Sequence, residues 1–147
     1  MKQYKKILLA TDFSEGSMQA MARAKDLAGQ YQALLSVLHV AEYVPMLDPA
    51  NIALDPFNLV APDQIVYDAA IGNLMEIGES LGIPDDRLIF ENGQAKDVIV
   101  RVAGDQNADL IVISTRGDQG IGSLLGSTAA SVILHAPCDV LVVKQTA

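Results

Sequence analysis

The sequence predicts an open α/β sheet with helices on both faces. Two observations carry this. Three strand candidates contain unbroken aliphatic blocks, Ile7-Leu8-Leu9, Leu110-Ile111-Val112-Ile113 and Val140-Leu141-Val142-Val143. Runs without polar alternation suit strands covered on both sides, as in parallel sheets. Between the strands lie segments with helical spacing, giving the alternation β-α-β-α-β-α-β-α-β.

The elements follow in chain order. The first strand is read over Lys6–Thr11. A helix over Ser14–Gln30 places Met18, Met21, Ala22, Ala24, Leu27 and Ala28 along one face, with Ser14 as N-cap and Gly29 near the end. Met18 and Met21 are read as core. The second strand is Leu34–Ala41. After it, residues 42–62 carry four prolines among many apolar residues. Such a stretch is either an insertion packed on its own domain or a flap over a ligand or partner. A second helix over Asp63–Leu81 has Ile65, Val66, Ala69, Ala70, Leu74, Ile77 and Leu81 at helical spacing. A weaker strand, Arg87–Glu91, is expected at an edge. The helix Gln94–Asp105 follows, with Val98, Ile99, Val102 and Ala103 inward. Strand Leu110–Ser114, helix Leu124–His135 ended by Pro137, and strand Val140–Lys144 complete the chain. Its 147 residues fit one domain, 1–147.

Charge and cysteine usage exclude several classes. Ten Lys and Arg against 18 Asp and Glu give −8, and no Lys or Arg occurs between Lys25 and Arg87. A nucleic-acid surface needs clustered positive charge, so DNA and RNA are not expected partners. No apolar run reaches the ~18 residues of a membrane span, and the start is too short for a signal peptide's apolar core. One cysteine, Cys138, excludes an internal disulfide framework. The expectation is a cytoplasmic protein without membrane insertion.

Ligands of open α/β sheets collect at the carboxyl ends of the strands. Two segments fall there. Ala10-Thr11-Asp12-Phe13-Ser14 follows the first strand, and the glycine-rich segment Ser114–Ser127 precedes the last helix. Glycines let backbone approach an anion, and the helix start offers free N–H groups and the positive dipole end. Ser127 and Thr128 add hydroxyls. The segment is thus a phosphate cradle by mechanism, or simply a turn. It lacks the Gly-Lys-Ser/Thr of a P-loop, and Leu125 stands where the dinucleotide pattern needs its third glycine. His39 and His135 have no ligand-spaced partners and are read as structural, His135 in a last helical turn that favours a cation. Cys138 is read as a core thiol.

Both ends of the chain resemble the universal stress protein (UspA) superfamily. The opening Lys6-Ile-Leu-Leu-Ala-Thr-Asp-Phe-Ser14 is similar to that family's start, with Ala10 in place of a frequent proline. Leu38-His39-Val40 resembles its second strand, and Leu125-Gly-Ser-Thr-Ala-Ala-Ser-Val-Ile-Leu-His-Ala-Pro-Cys-Asp-Val-Leu-Val-Val143 its C-terminal signature. The nucleotide-binding branch carries Gly-x2-Gly-x9-Gly-Ser/Thr. Here Ser114 stands at the first glycine, Gly117 at the second and Gly126-Ser127 at the last pair, with only eight residues between Gly117 and Gly126.

The resemblance implies a five-stranded parallel sheet in order 3-2-1-4-5, of the adenine nucleotide alpha-hydrolase-like kind. It implies ATP, or ADP or AMP, as ligand. Asp12 would lie at the ribose and metal-phosphate side, with Mg²⁺ bridging it to phosphate and Ala10 and Thr11 also at the nucleotide; read without the resemblance, Asp12 is a cap of the following helix or loop. The Val40 backbone would meet the adenine edge and Ser114 the ribose. Gly117, Gly126, Ser127 and Thr128 would hold phosphates, and Arg116 would pair with one or stay solvated. It implies a non-enzymatic stress-response regulator, a homodimer through the last strand and an unidentified protein partner. The alternatives are a slow ATPase or nucleotidyl-processing enzyme, and an interaction module without nucleotide. An evident general base or a strong Lys/Arg clamp is missing from the sequence, which disfavours the enzyme.

Overall fold

The computed structural model describes residues 3–42, 62–115 and 126–145. Their elements are β1 (Lys6–Thr11), α1 (Glu15–Tyr31), β2 (Leu34–Ala41), α2 (Pro62–Leu81), a 3-10 turn (Asp85–Arg87), β3 (Leu88–Asn92), α3 (Ala95–Asp105), β4 (Leu110–Ser114), α4 (Ser127–His135) and β5 (Asp139–Val143). The five strands form one parallel sheet in order β3-β2-β1-β4-β5. The expected order therefore holds, and β3 is an edge as read from its sequence.

The aliphatic runs are continuous because each strand feeds two cores. Ile7, Leu9, Leu35, Val37, Leu110, Val112 and Val143 point to one face, under α1 and α2. Leu8, Leu38, Ile111 and Ile113 point to the other, under α3 and α4. Successive strand side chains alternate faces, so an unbroken run is what two covered faces require. β1 and its neighbour β4 are the most enclosed strands: Ile7, Leu8 and Leu9 are all buried, as are Leu110, Ile111, Val112 and Ile113.

Several boundaries and faces differ from expectation. β3 and β5 begin one residue later and one earlier than read, β3 because a 3-10 turn takes up Arg87. The described part of the last helix begins at Ser127; Leu124 and Leu125 lie outside the described residues. Met18 is not core but half exposed, and Ala22 is exposed. The buried face of α1 is instead Gly16, Ser17, Ala20 and Ala24. A stripe of small residues lets the helix axis approach the sheet closely, and large side chains are left at its margins. Ile65, Val66 and Ala69 of α2 are likewise exposed, and α2 packs through Ala70, Leu74, Ile77 and Gly78. Gly78 permits that contact, since a Cβ there would lie 2.5 Å from Leu88 Cδ1. The left-handed residue after α1 is Gln32, at φ 53°, not Gly29.

Candidate functional site

Strand order reverses between β1 and β4. There, on the α3/α4 face, a cavity of about 540 Å³ opens at the carboxyl edge of the sheet. That volume suits a nucleotide-sized ligand. β1 contributes Ala10, Thr11 and Asp12, β2 contributes Leu38, Val40 and Glu42, and β4 contributes Ile113, Ser114 and Thr115. Ala95 and Ile99 of α3 close one side, and Gly126, Ser127, Thr128 and Ala129 close the other. The structure thus gathers eight of the ten expected site residues: Ala10, Thr11, Asp12, Val40, Ser114, Gly126, Ser127 and Thr128. Arg116 and Gly117 lie outside the described residues, as does all of the 42–62 stretch but Glu42 and Pro62.

The turn from β1 into α1 is built around Asp12. Phe13 adopts φ 64°, a left-handed conformation that costs a bulky residue energy. Its ring is held in place by stacking on His39, with centroids 4.2 Å apart. His39 Nδ1 lies 2.9 Å from the Thr11 carbonyl oxygen. A carbonyl only accepts, so Nδ1 carries the proton and His39 is a structural brace, as its isolation in sequence implied. The sharp turn brings Asp12 over the first turn of α1. Asp12 Oδ1 accepts from the Ser14 N–H at 3.0 Å and from the Ser17 hydroxyl at 2.5 Å. Ser17 Oγ accepts in turn from the Asp12 N–H at 3.1 Å, and Ser14 Oγ caps the helix by accepting from the Ser17 N–H at 3.2 Å. Burial pushes the Asp12 carboxyl up, but the hydrogen bonds from Ser14, Ser17 and neighbouring backbone outweigh it and hold its pKa below the ordinary aspartate value. Asp12 is therefore a fixed anion at neutral pH, with one oxygen committed to the turn.

The start of α4 is arranged differently. Gly126 is its N-cap, at φ −62° and ψ 151°, and offers no side chain to the helix. The Gly126 N–H donates to the Thr115 carbonyl at 2.7 Å, and the Thr115 N–H to Val143 at 3.0 Å. These bonds fix the helix mouth to the ends of β4 and β5. The first turn, Ser127 to Ala129, then faces the cavity with N–H groups that no described side chain caps. His135, at the far end, lies 2.8 Å from the Ser131 carbonyl through Nδ1, the structural role expected of it. Cys138 packs against the α3/α4 core, half-buried.

Sequence reasoning missed Ser17, Glu42 and Ile99 as lining residues. Ser17 is buried, at 2% exposure, and holds Asp12. The signal for Glu42 was the alternation of β2, since Leu38, Val40 and Glu42 share one face. The Glu42 carboxylate accepts from the Ala95 N–H at 2.8 Å and so caps α3 from a neighbouring strand. Among the described residues, the only charged side chains lining the cavity are Asp12 and Glu42. No metal-ligating group of three His, Cys, Asp or Glu is present among the described residues. None of the described helices is long and apolar enough to cross a membrane. A second cavity, of about 410 Å³, lies beside the first and is bounded by His39, Gln64, Val66, Tyr67 and Phe90.

Strand order, crossovers and the cavity at the reversal point define an α/β protein of the adenine nucleotide alpha-hydrolase-like fold. The comparisons narrow this class. The family model described as "Universal stress protein family" matches residues 3–144, and the chain belongs to that family. It is 35% identical over 140 residues to universal stress protein A homolog 1 of Coxiella burnetii, covering 95% of this chain and 96% of that protein. Among solved structures, the hypothetical protein MJ0577 superposes with a TM-score of 0.79 at 25% identity, covering 99% of both chains. A universal stress protein solved in complex with cAMP shares the fold with a TM-score of 0.62 at 24% identity, over 97% of this chain and 98% of that one.

Proposed function

We propose that this protein is a universal stress protein domain that binds an adenine nucleotide, ATP or a shorter form, in the cavity at the β1/β4 reversal. The carrying observation is the first turn of α4, which no described side chain caps, opening into that cavity behind a glycine N-cap. Two or three aligned N–H groups and the helix dipole make an anion site, and the Ser127 and Thr128 hydroxyls extend it. The apolar surfaces of Val40 and Ile99 suit the base, with the Val40 backbone at its edge, and Ser114 lies toward the ribose. Cyclic AMP belongs to a solved relative alone; the reading here rests on this chain's own geometry and its glycine motif.

Asp12 fits a magnesium ion shared with phosphate. One carboxylate oxygen is committed to Ser14 and Ser17, which leaves the other for the cavity. Magnesium commonly takes one or two carboxylates plus phosphate oxygens and keeps several waters. The ion, when bound, would neutralise the repulsion between Asp12 and the polyphosphate.

The role we assign is regulatory rather than catalytic, in the cytoplasm, with a partner protein reading the loaded state. Pairing of two copies along β5 is part of this reading. β5 is an edge strand, and open edges with aliphatic side chains favour a partner strand.

Calorimetric titration of the purified chain with ATP, with and without Mg²⁺, tests the reading, together with mass spectrometry of any co-purifying nucleotide. Saturable 1:1 binding without single-turnover hydrolysis is expected. Absence of binding to ATP, ADP, AMP and cAMP would instead make it an interaction module. Light scattering should report a dimer at micromolar concentration, and Val142→Lys should shift it to monomer.

A further inference from the structure

The proposed nucleotide site has two charged side chains in its described lining, and only Asp12 has a task there. Glu42 stands at the opposite end. The carboxyl edge runs from β2 through β1 to β4, so Glu42 and the α4 mouth are separated by two strand spacings, about 10 Å. With phosphates at α4, the β2 end is where a base would lie. The side chains of Leu38, Val40 and Ile99 line that end with apolar surface, and apolar side chains do not by themselves distinguish one purine from another.

Glu42 can. Its carboxylate is anchored by the Ala95 N–H at 2.8 Å, across 53 residues of sequence. The anchor fixes one oxygen at the start of α3 and leaves the carboxylate at the cavity wall. Gln94, the N-cap of α3, makes no side-chain cap of its own, and the Glu42 carboxylate serves the helix start in its place. An ionised carboxylate only accepts hydrogen bonds. It therefore matches a base edge that donates and opposes one that presents a carbonyl oxygen.

We propose that Glu42 is a base-selecting side chain of the site, acting beside the Val40 backbone, and favours a 6-amino purine over a 6-oxo purine. This rests on the nucleotide reading given above. Adenine offers an exocyclic N–H₂ at position 6, whereas hypoxanthine offers a carbonyl there, with the rest of the nucleotide unchanged. A carbonyl against a carboxylate leaves two acceptors facing each other, with no proton between them.

The experiment is calorimetric titration of the full chain with Mg·ATP and Mg·ITP, in the parent, Glu42→Gln and Ala95→Pro. Glutamine keeps an oxygen for the Ala95 N–H, and its amide can turn a donor toward a 6-oxo group. Proline at the first helical position removes the anchoring N–H. The extended Gln94, at φ −88° and ψ 125°, tolerates a following proline, so α3 should survive. The parent should prefer ATP by roughly tenfold or more, the scale of one discriminating hydrogen bond to a charged group. Glu42→Gln should bring the ratio within about threefold, chiefly by tightening ITP, and Ala95→Pro should lower it by loosening the carboxylate. Thermal melts confirm that each variant is folded. Equal ATP and ITP affinity in the parent, or an unchanged ratio in a folded Glu42→Gln, overturns the role of Glu42 while the nucleotide reading stands. Binding of neither nucleotide by the parent overturns both.

Discussion

The first turns of α1 and α4 open onto the same cavity, yet they are finished in opposite ways. At α1, Ser14 caps the helix, and Asp12 and Ser17 close a ring of hydrogen bonds around it. That end is electrically settled by the chain itself. At α4, a glycine stands at the cap and the backbone donors face the cavity. The difference assigns the labour. The α1 end holds a carboxylate still, and on the proposed reading the α4 end takes an anion from outside.

The largest expected effect comes from closing the open end. Gly126→Val would put a branched side chain at the α4 mouth. The backbone there, at φ −62° and ψ 151°, is ordinary for any residue, so the fold should persist. Loss of one or two charge-assisted hydrogen bonds predicts about 100-fold weaker nucleotide binding. Circular dichroism and calorimetry on the same sample check both halves. Parent-like ATP affinity in the folded variant would show that α4 is not the anion site.

Opening the closed end should act on stability instead. Ser17→Ala removes a donor to Asp12 and an acceptor for its N–H. Breaking these part-buried bonds at the buried Ser17 costs about 1–2 kcal/mol, which urea denaturation resolves. A neutral result would mean that water replaces the hydroxyl and that α1 is less self-contained than it looks.

Both ends carried local signals in the sequence. Ser14 read as a cap, which it is, and the glycine-rich segment before Ser127 read as a phosphate cradle or simply a turn. The sheet was legible for the same reason: each aliphatic block is a single strand seen by two cores. What escaped was settled by packing at a distance. Met18 looked like core because it is large, but the α1 face that meets the sheet is made of Gly16, Ser17, Ala20 and Ala24. Ser17 was overlooked on that same face, since a small polar residue in a helix carries no hydrophobic signal. Glu42 finds its partner Ala95 only after β2 and α3 are both in place. Ile65 and Val66 followed the helical period of α2, but the face buried against the sheet is the one through Leu74 and Ile77. The roles of Arg116 and Gly117 rest on the resemblance alone.

A third test asks whether the two ends cooperate through a cation. If Mg²⁺ bridges Asp12 to phosphates seated at α4, ATP should bind about tenfold more tightly with magnesium than with a chelator. Asp12→Asn should bring that factor near one, since an amide is a poor magnesium ligand. The asparagine amide oxygen can still accept from the Ser14 N–H and the Ser17 hydroxyl, so the turn should hold. Equal magnesium dependence in the two proteins would remove Asp12 from the metal and leave it a residue of the turn.

The smallest effect concerns the charge on Asp12 itself. Its hydrogen bonds hold the pKa below the unfolded value, so the folded state binds its proton less readily than the unfolded chain does. Between the two values the unfolded state carries more protons, and stability rises with pH. The contribution is therefore fully present above the ordinary aspartate pKa of about 3.9, and it is lost as pH falls through the lower folded value. Asp12→Asn has no such proton to bind. The stability difference between parent and variant should be flat from neutral pH down to about 5 and should shrink below about pH 4. Because the hydrogen bonds of Asp12 are only part-buried, the change should be small, and urea melts need to be run on both proteins in parallel at each pH. A difference that stays constant to pH 3 would mean that the carboxylate's charge adds nothing to the turn. The closed end of α1 would then be held by Ser14 and Ser17 alone, and Asp12 would be kept charged only for what enters the cavity.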